Sequence, residues 1–220
     1  MVISNLGGAI EYWLGFQHKI GRSFMMNEDA LKYPLADYLV NEGNVDLQLI
    51  DLEIAHPNFS NRQVDLTVFN IQNRTVKSLF ELKLAKEETW YQAEKQRIFN
   101  DLIRLYLGSL VSTEKCFFII TGKTSHFQTD FKNTPNIGIR FYDKWFDFTK
   151  GQSKTFDVAT ETDLIYLDIY REFRTKYSNT YQGQPNNILQ LPNQITTTCE
   201  FITAFNPTLV PYMIGVWSVT

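Results

Sequence analysis

Residues 64–69 read VDLTVF and residues 79–85 read LFELKLA. Both stretches carry an apolar lining and are separated by the turn-forming IQNR at 71–74, which predicts two strands of a hairpin. An apolar strand gains nothing from Asp65, Glu81 and Lys83 in its interior, yet all three are there. Side chains alternate across a strand, so Glu81 and Lys83 share a face. Asp65 shares its own face with Thr67 and Phe69, and in-register pairing brings it near Glu81.

Upstream, QVDLTVFN follows the loop HPNFSNR, and VDLQLIDLEIA precedes it as a further strand whose alternation slips at Ile50, the mark of a bulge or bend. Before that, NEDALKYPLADYLVNEG predicts a helix. Asn27 caps it, Glu28 and Asp29 complement the dipole of its first turn, and Leu31, Leu35, Tyr38 and Leu39 form its apolar face. Pro34 is expected to kink it and Gly43 to end it. AIEYWLGF is a short helix expected to pack on the body.

Downstream, the spacing of Tyr91, Ile98, Leu102, Leu105 and Tyr106 predicts a long helix from about Glu87 to Leu107, stopped by Gly108. CFFII, from Cys116, is a continuous apolar run and reads as a central strand covered on both faces. NIGIRFY reads as another strand, and TETDLIYLDIYREFRTKYS as a helix capped by Thr160 or Thr162. ITTTCEFITAF and MIGVWSVT read as late strands, and Phe205, Tyr212 and Trp217 as core or contact rings. The domain reading is a core with an N-terminal extension over residues 1–150, and a C-terminal helix and strands over 151–220 packed on the same body.

Two converging carboxylates with a lysine beside them make a divalent-metal site. Mg²⁺ is hard, prefers oxygen ligands, and is held by one or two carboxylates plus water and phosphate. Such an ion stabilises charge on a phosphate and helps deprotonate a water. Lys83 would position that water or offset transition-state charge. The plain alternative is a cross-strand salt bridge on a solvated sheet face, a contribution of a few tenths to about 1 kcal/mol.

Asp65 followed by Glu81-Leu82-Lys83 on the next strand resembles the PD-(D/E)XK nuclease superfamily. The helix–three strands–helix–strand order of residues 27–121 is similar to that family's core, and the resemblance covers residues 25–142. Val64 stands where the family often has proline. The resemblance implies an α/β fold with a restriction-endonuclease-like mixed central sheet flanked by helices, here with a C-terminal α/β extension. It implies Mg²⁺ (or Mn²⁺) held by Glu28, Asp65 and Glu81, with Asp29 competing for the role of Glu28. It further implies Lys83 at the reacting phosphate, and Gln92 or Gln96 from the following helix, with Gln96, one turn further in, preferred for orienting Lys83 or the phosphate. The expected activity is hydrolysis of phosphodiester bonds in nucleic acid, DNA first. The other reading is a catalytically silent nuclease-like domain serving as a binding or assembly module.

A chain of 220 residues with 44% hydrophobic and 20% charged residues can bury a sizeable core and is too apolar for disorder. Its formal charge of −3 and pI of about 5.7 argue against a broad basic face, so any nucleic-acid contact is local or assisted by a protein partner or a second copy. Lys86, Lys95, Arg97 and Arg104 could form a phosphate-contacting stripe, but Glu94 and Asp101 interrupt it, and a solvated helix face is the expectation. Cys116 and Cys199 form no metal or disulfide motif, and Cys116 reads as a buried free thiol. His18, His56 and His126 are scattered, and His56 is expected to be exposed in a loop. GKTS at 122–125 lacks the upstream glycine of a phosphate loop, since residue 117 is Phe117. No Gly-x-Ser-x-Gly elbow is present. No stretch approaches a membrane span and no signal peptide is visible, so the expected location is cytoplasmic.

Overall fold

The computed structural model describes residues 5–23, 26–86, 89, 91–136, 139–182, 189–204 and 211–220; Phe205 and Glu87 lie outside them. Helix α1 (Leu6–Lys19) and helix α2 (Glu28–Asn41) come first. Asn27 caps α2 as the sequence predicts, its side chain accepting the Ala30 N–H at 2.8 Å. Pro34 lies inside α2 without ending it.

Strands β1 (Ile50–His56), β2 (Phe59–Phe69) and β3 (Val76–Ala85) form an antiparallel meander. Helix α3 (Gln92–Ser109) crosses over to β4 (Cys116–Lys123), which runs parallel to β3. A short turn of helix, α4 (Thr124–His126), leads into a π turn at Phe127–Lys132 and a two-residue pair, β5 (Pro135–Asn136) with β6 (Ile139–Arg140). Strand β7 (Ser153–Asp157), helix α5 (Leu164–Tyr177), β8 (Gln194–Ile202) and β9 (Tyr212–Val219) complete the described elements. The seven-stranded mixed sheet has the order β1-β2-β3-β4-β9-β8-β7, so β9 lies between β4 and β8.

Helices cover both faces, giving a mixed α/β architecture. Successive residues of β4 divide between the faces. Cys116, Phe118 and Ile120 join α3, α5 and the rings of Phe141, Tyr142 and Trp145, while Phe117 and Ile119 join α1 and α2. β9 divides likewise, with Met213, Trp217 and Val219 on the first face and Tyr212, Ile214 and Val216 on the second. A sheet covered twice needs the continuous apolar runs that CFFII and MIGVW supply.

Four expectations are corrected locally. β1 begins only at Ile50, because Leu47–Leu49 form a 3-10 turn capped by Asp46. Among its described residues, NIGIRFY gives Asn136 to β5 and Ile139–Arg140 to β6 and then enters a 3-10 turn at Phe141–Lys144, which buries the neighbouring rings of Phe141 and Tyr142 in the same cluster; a strand would send them to opposite faces. The α5 cap is Asp163, which accepts the Ile165 N–H at 3.0 Å, in place of Thr160 or Thr162. Gly108 lies within α3 rather than ending it. A Cβ there would stand 2.3 Å from Leu79 Cδ1, so close packing of helix on sheet accounts for the glycine. Cys116 is a free, buried thiol, as its apolar run predicts.

Candidate functional site

β2 and β3 pair from Phe69↔Val76 to Leu66↔Phe80, and their pairing stops there. Beyond that point β2 continues beside β1 and β3 beside β4, so the two strands splay. Splaying leaves N–H groups of β3 facing the gap, and buried donors need partners. Two carboxylates supply them. Asp65 Oδ2 accepts the Leu82 N–H at 2.7 Å, and Glu28 Oε1 accepts the Leu84 N–H at 3.4 Å. Glu28 is the first residue of α2, whose N-terminus therefore sits at the cleft.

Glu81 and Lys83 follow the vertex on β3. Glu81 is 4% exposed, and its nearest cation is Arg104 of α3, with Nη2 3.7 Å from Oε1. Lys83 Nζ lies 3.2 Å from Asp101 Oδ2 and 3.7 Å from Glu28 Oε2. Asp101 and Arg104 also pair with one another. Glu81 Oε1 and Asp101 Oδ2 accept no hydrogen bond, so their ion-pair distances reflect attraction without donor alignment.

A third cation, Lys32 of α2, closes the other side. It is 5% exposed and contacts Asp29 at 2.8 Å, Glu53 of β1, and Asp65 Oδ1 at 3.8 Å. Glu53 falls opposite Asp65, between the pairs Leu52↔Leu66 and Ile54↔Val64, and has φ 53°. A non-glycine residue in the left-handed region costs on the order of 1–3 kcal/mol and persists only where its surroundings impose it.

Electrostatics follow from this crowding. Burial, then repulsion from Asp101, pushes the Glu81 carboxyl well above its ordinary value, although Arg104 opposes the shift. Burial also raises Glu28, with Lys83 pulling the other way. Burial acts to lower Lys83, but Asp101, Glu28, Glu81 and Asp65 outweigh it, so the ammonium is held charged. Arg104 is likewise raised on balance: burial opposes its charge, and Asp101 and Glu81 favour it.

Asp65, Glu81, Lys83 and Glu28, four of the five residues singled out in sequence, thus meet around one cleft. Gln96 is held elsewhere. Its amide bonds Glu172 of α5, and it lines a polar groove with Asp168, Arg171 and Thr175. From α3 it is Asp101 and Arg104 that reach the cleft. The sequence reading set both on a solvated helix face; the structure buries them, at 3% and 9% exposure, because α3 is covered from Ile98 to Leu105 on every side. His56 is corrected too. It is buried at the end of β1, with Nδ1 accepting the Asn58 N–H at 3.0 Å and Nε2 3.1 Å from the Arg104 carbonyl oxygen. Burial and the neighbouring Arg104 charge push its pKa down to about 3, so the ring is neutral and carries its proton on Nε2.

Among the described residues, no three His, Cys, Asp or Glu side chains stand together as a ready metal-ligand set. Each carboxylate instead faces a cation: Asp65 faces Lys32, Glu28 faces Lys83, and Glu81 faces Arg104. In donor type and charge the cleft nonetheless fits a hard cation. Glu28, Asp29, Glu53, Asp65, Glu81 and Asp101 outnumber Lys32, Lys83 and Arg104, and two buried carboxylate oxygens accept no hydrogen bond.

No described helix is long and apolar enough to cross a membrane. Comparison with protein-family models, with curated proteins and with solved structures finds no match for this chain.

Proposed function

We propose that the β2–β3 cleft is the site of a Mg²⁺-dependent (or Mn²⁺-dependent) nuclease of the PD-(D/E)XK kind, hydrolysing phosphodiester bonds in nucleic acid, DNA first, in the cytoplasm. The observation that carries this reading is the group formed by the buried Glu81, Asp101 and Arg104 with the half-buried Asp65 and Lys83 at the point where two strands part. Such a group is a poor way to stabilise a sheet. Replacing buried ion pairs by apolar residues is often neutral or stabilising by about 1–4 kcal/mol. Perturbed acids and bases gathered in a cleft are instead what catalysis requires.

Asp65 and Glu81, with Glu28, would hold the metal, which supplies Lewis-acid stabilisation of phosphate charge and an acidified water. The remaining work falls to the chain itself. The Leu82 N–H fixes one oxygen of Asp65 and leaves the other facing the cleft. Lys83, held charged between Asp101 and Glu28, is suited to offset charge developing on phosphate oxygens and unsuited to act as a base. Arg104 keeps Glu81 and Asp101 from repelling one another apart.

The test is cleavage of plasmid and single-stranded DNA with Mn²⁺ by wild type, Asp65→Asn and Lys83→Ala. Cleavage by wild type alone supports the reading. Equal, metal-independent cleavage by all three removes it. One observation favours a second reading, a silent binding or assembly module with a protein partner or a second copy: both lysine ammonium groups are already held by carboxylates. No cleavage and no calorimetric binding of Mn²⁺ would decide for that module.

A further inference from the structure

Lys32 was not among the residues that the sequence singles out, yet three carboxylates lie within 4 Å of its ammonium, against two each for Lys83 and Arg104. Its ammonium is met by Asp29 from its own helix, by Glu53 from β1 and by Asp65 from β2. Two further features set it apart from a surface salt bridge. Its side chain is 6% exposed, so its stem is packed into the protein while Asp29 and Glu53 meet the ammonium from the solvent side. And Glu53 holds a left-handed backbone in mid-strand, directly across from Asp65, which delivers a carboxylate to Lys32 at a conformational cost.

Asp65 has only two oxygens. Oδ2 is taken by the Leu82 N–H, and Oδ1 faces Lys32. A cation reaching Asp65 through Oδ1 must therefore displace the ammonium or share the oxygen with it. We infer that Lys32 determines the affinity and selectivity of the cleft for divalent cations, as a resident counter-charge on Asp65 that an incoming metal must displace. This rests on the metal-site reading above and goes beyond it, because it assigns the tuning of the site to a residue outside the ligand set.

The chemistry has a definite direction. A monovalent cation cannot repay the loss of three ammonium–carboxylate contacts, whereas a divalent ion carries twice the charge to the same oxygens. Lys32 would thus set a threshold that Na⁺ and K⁺ do not pass. With Lys32 neutralised, Asp29, Glu53 and Asp65 are left without a counter-charge, and cations bind more tightly and less selectively.

The experiment is calorimetric titration of the full chain with Mn²⁺, in low and high KCl, for wild type, Lys32→Met, Lys32→Gln, Lys32→Arg and the double variant Lys32→Met/Asp65→Asn. Lys32→Gln keeps a hydrogen-bond donor should the Met variant fail to fold. The expected result is Mn²⁺ binding at least tenfold tighter in Lys32→Met and Lys32→Gln, more sensitive to KCl than wild type, near wild type in Lys32→Arg, and without the gain in the double variant. Equal Mn²⁺ affinity in wild type and both neutral variants overturns the role of Lys32 and leaves the metal site standing. Binding in the neutral variants but not in wild type supports the role of Lys32 and points to the silent module. No binding in any variant overturns both.

Discussion

The carboxylate of Asp65 takes the place of a strand: its Oδ2 accepts the Leu82 N–H at 2.7 Å, where β2 no longer pairs with β3. One side chain therefore has two separable duties, a hydrogen-bond acceptor for the sheet and a negative charge for the cleft. Asp65→Asn keeps the acceptor and loses the charge. It is expected to unfold in urea like wild type while losing Mn²⁺-dependent cleavage by roughly a hundredfold or more. Asp65→Ala loses both and leaves a buried N–H unpaired, at a cost of about 1–3 kcal/mol in the same melt. Asn destabilising as much as Ala would refute the separation.

At Glu81, stability and the proposed function pull in opposite directions. Its carboxyl is raised from the usual 4.5 by burial and by Asp101, so folding favours its protonated form. The sign follows: wild type loses stability as pH climbs from about 4.5 through the raised value. Glu81→Gln has no such loss, and Arg104 keeps Asp101 as a partner. The variant is expected to be more stable than wild type at pH 7 by on the order of 1–2 kcal/mol. The gap should close below about pH 4.5, and cleavage should fall. Denaturation at pH 4, 5.5 and 7 measures it; a gap that stays constant with pH would count against the buried acid.

The His56 ring shifts the other way. Its pKa falls from 6.5 to about 3, so its contribution to stability is complete above pH 6.5 and is lost as pH drops towards 3. Imidazole NMR should report a neutral ring with its proton on Nε2 at pH 5, set by the Asn58 N–H on Nδ1. Titration near 6.5 would mean that the ring is solvated.

Lys83 and Asp101 should be energetically coupled. Asp101→Asn removes the nearer partner of Lys83 and one partner of Arg104, and is expected to cost about 3–5 kcal/mol because buried cations are left short of counter-charge. A double-mutant cycle with Lys83→Met should return a coupling of about 1–3 kcal/mol in urea denaturation. Additive effects would show the 3.2 Å approach to be energetically idle.

Gly108→Ala tests helix propensity against packing. Alanine gains about 1 kcal/mol in a helix interior. Its Cβ would stand 2.3 Å from Leu79 Cδ1 in the core, and overpacking costs about 1–3 kcal/mol. A net loss of about 1 kcal/mol is expected in thermal or urea melts; a net gain would mean that Leu79 yields freely.

The central motif was legible because strand alternation is a strict rule. Once 64–69 and 79–85 are strands, Asp65, Glu81 and Lys83 follow, and the cap at Asn27 fixes Glu28 at a helix start. Asp101 and Arg104 were not legible, because an acid and a base three positions apart look the same on a solvated helix as on a buried one. Only the enclosure of α3 on all sides separates the two cases, and enclosure is a property of the whole fold. Gln96 failed for the related reason that helical phase gives a direction without saying which neighbour lies there; α5 does. Lys32 carried no signal, since its partners come from two strands and its own helix. β7 is short and polar, and only its pairing with β8 makes it a strand.

The place of β9 governs the order of assembly. β9 is the latest strand in the sequence, yet it separates β4, which carries the meander, from β8 and β7. Until residues 212–219 leave the ribosome, two partial sheets face each other across an empty lane, and β4 and β8 present unpaired, apolar edges to anything that can add a strand. Pairs such as Cys116 with Val219 join residues about a hundred positions apart, so closure is slow compared with formation of the local β1–β3 meander. A nascent chain stalled before Tyr212 would hold the cleft residues on a half-sheet, β1 to β4, whose inner edge has lost the strand that joins it to β8 and β7.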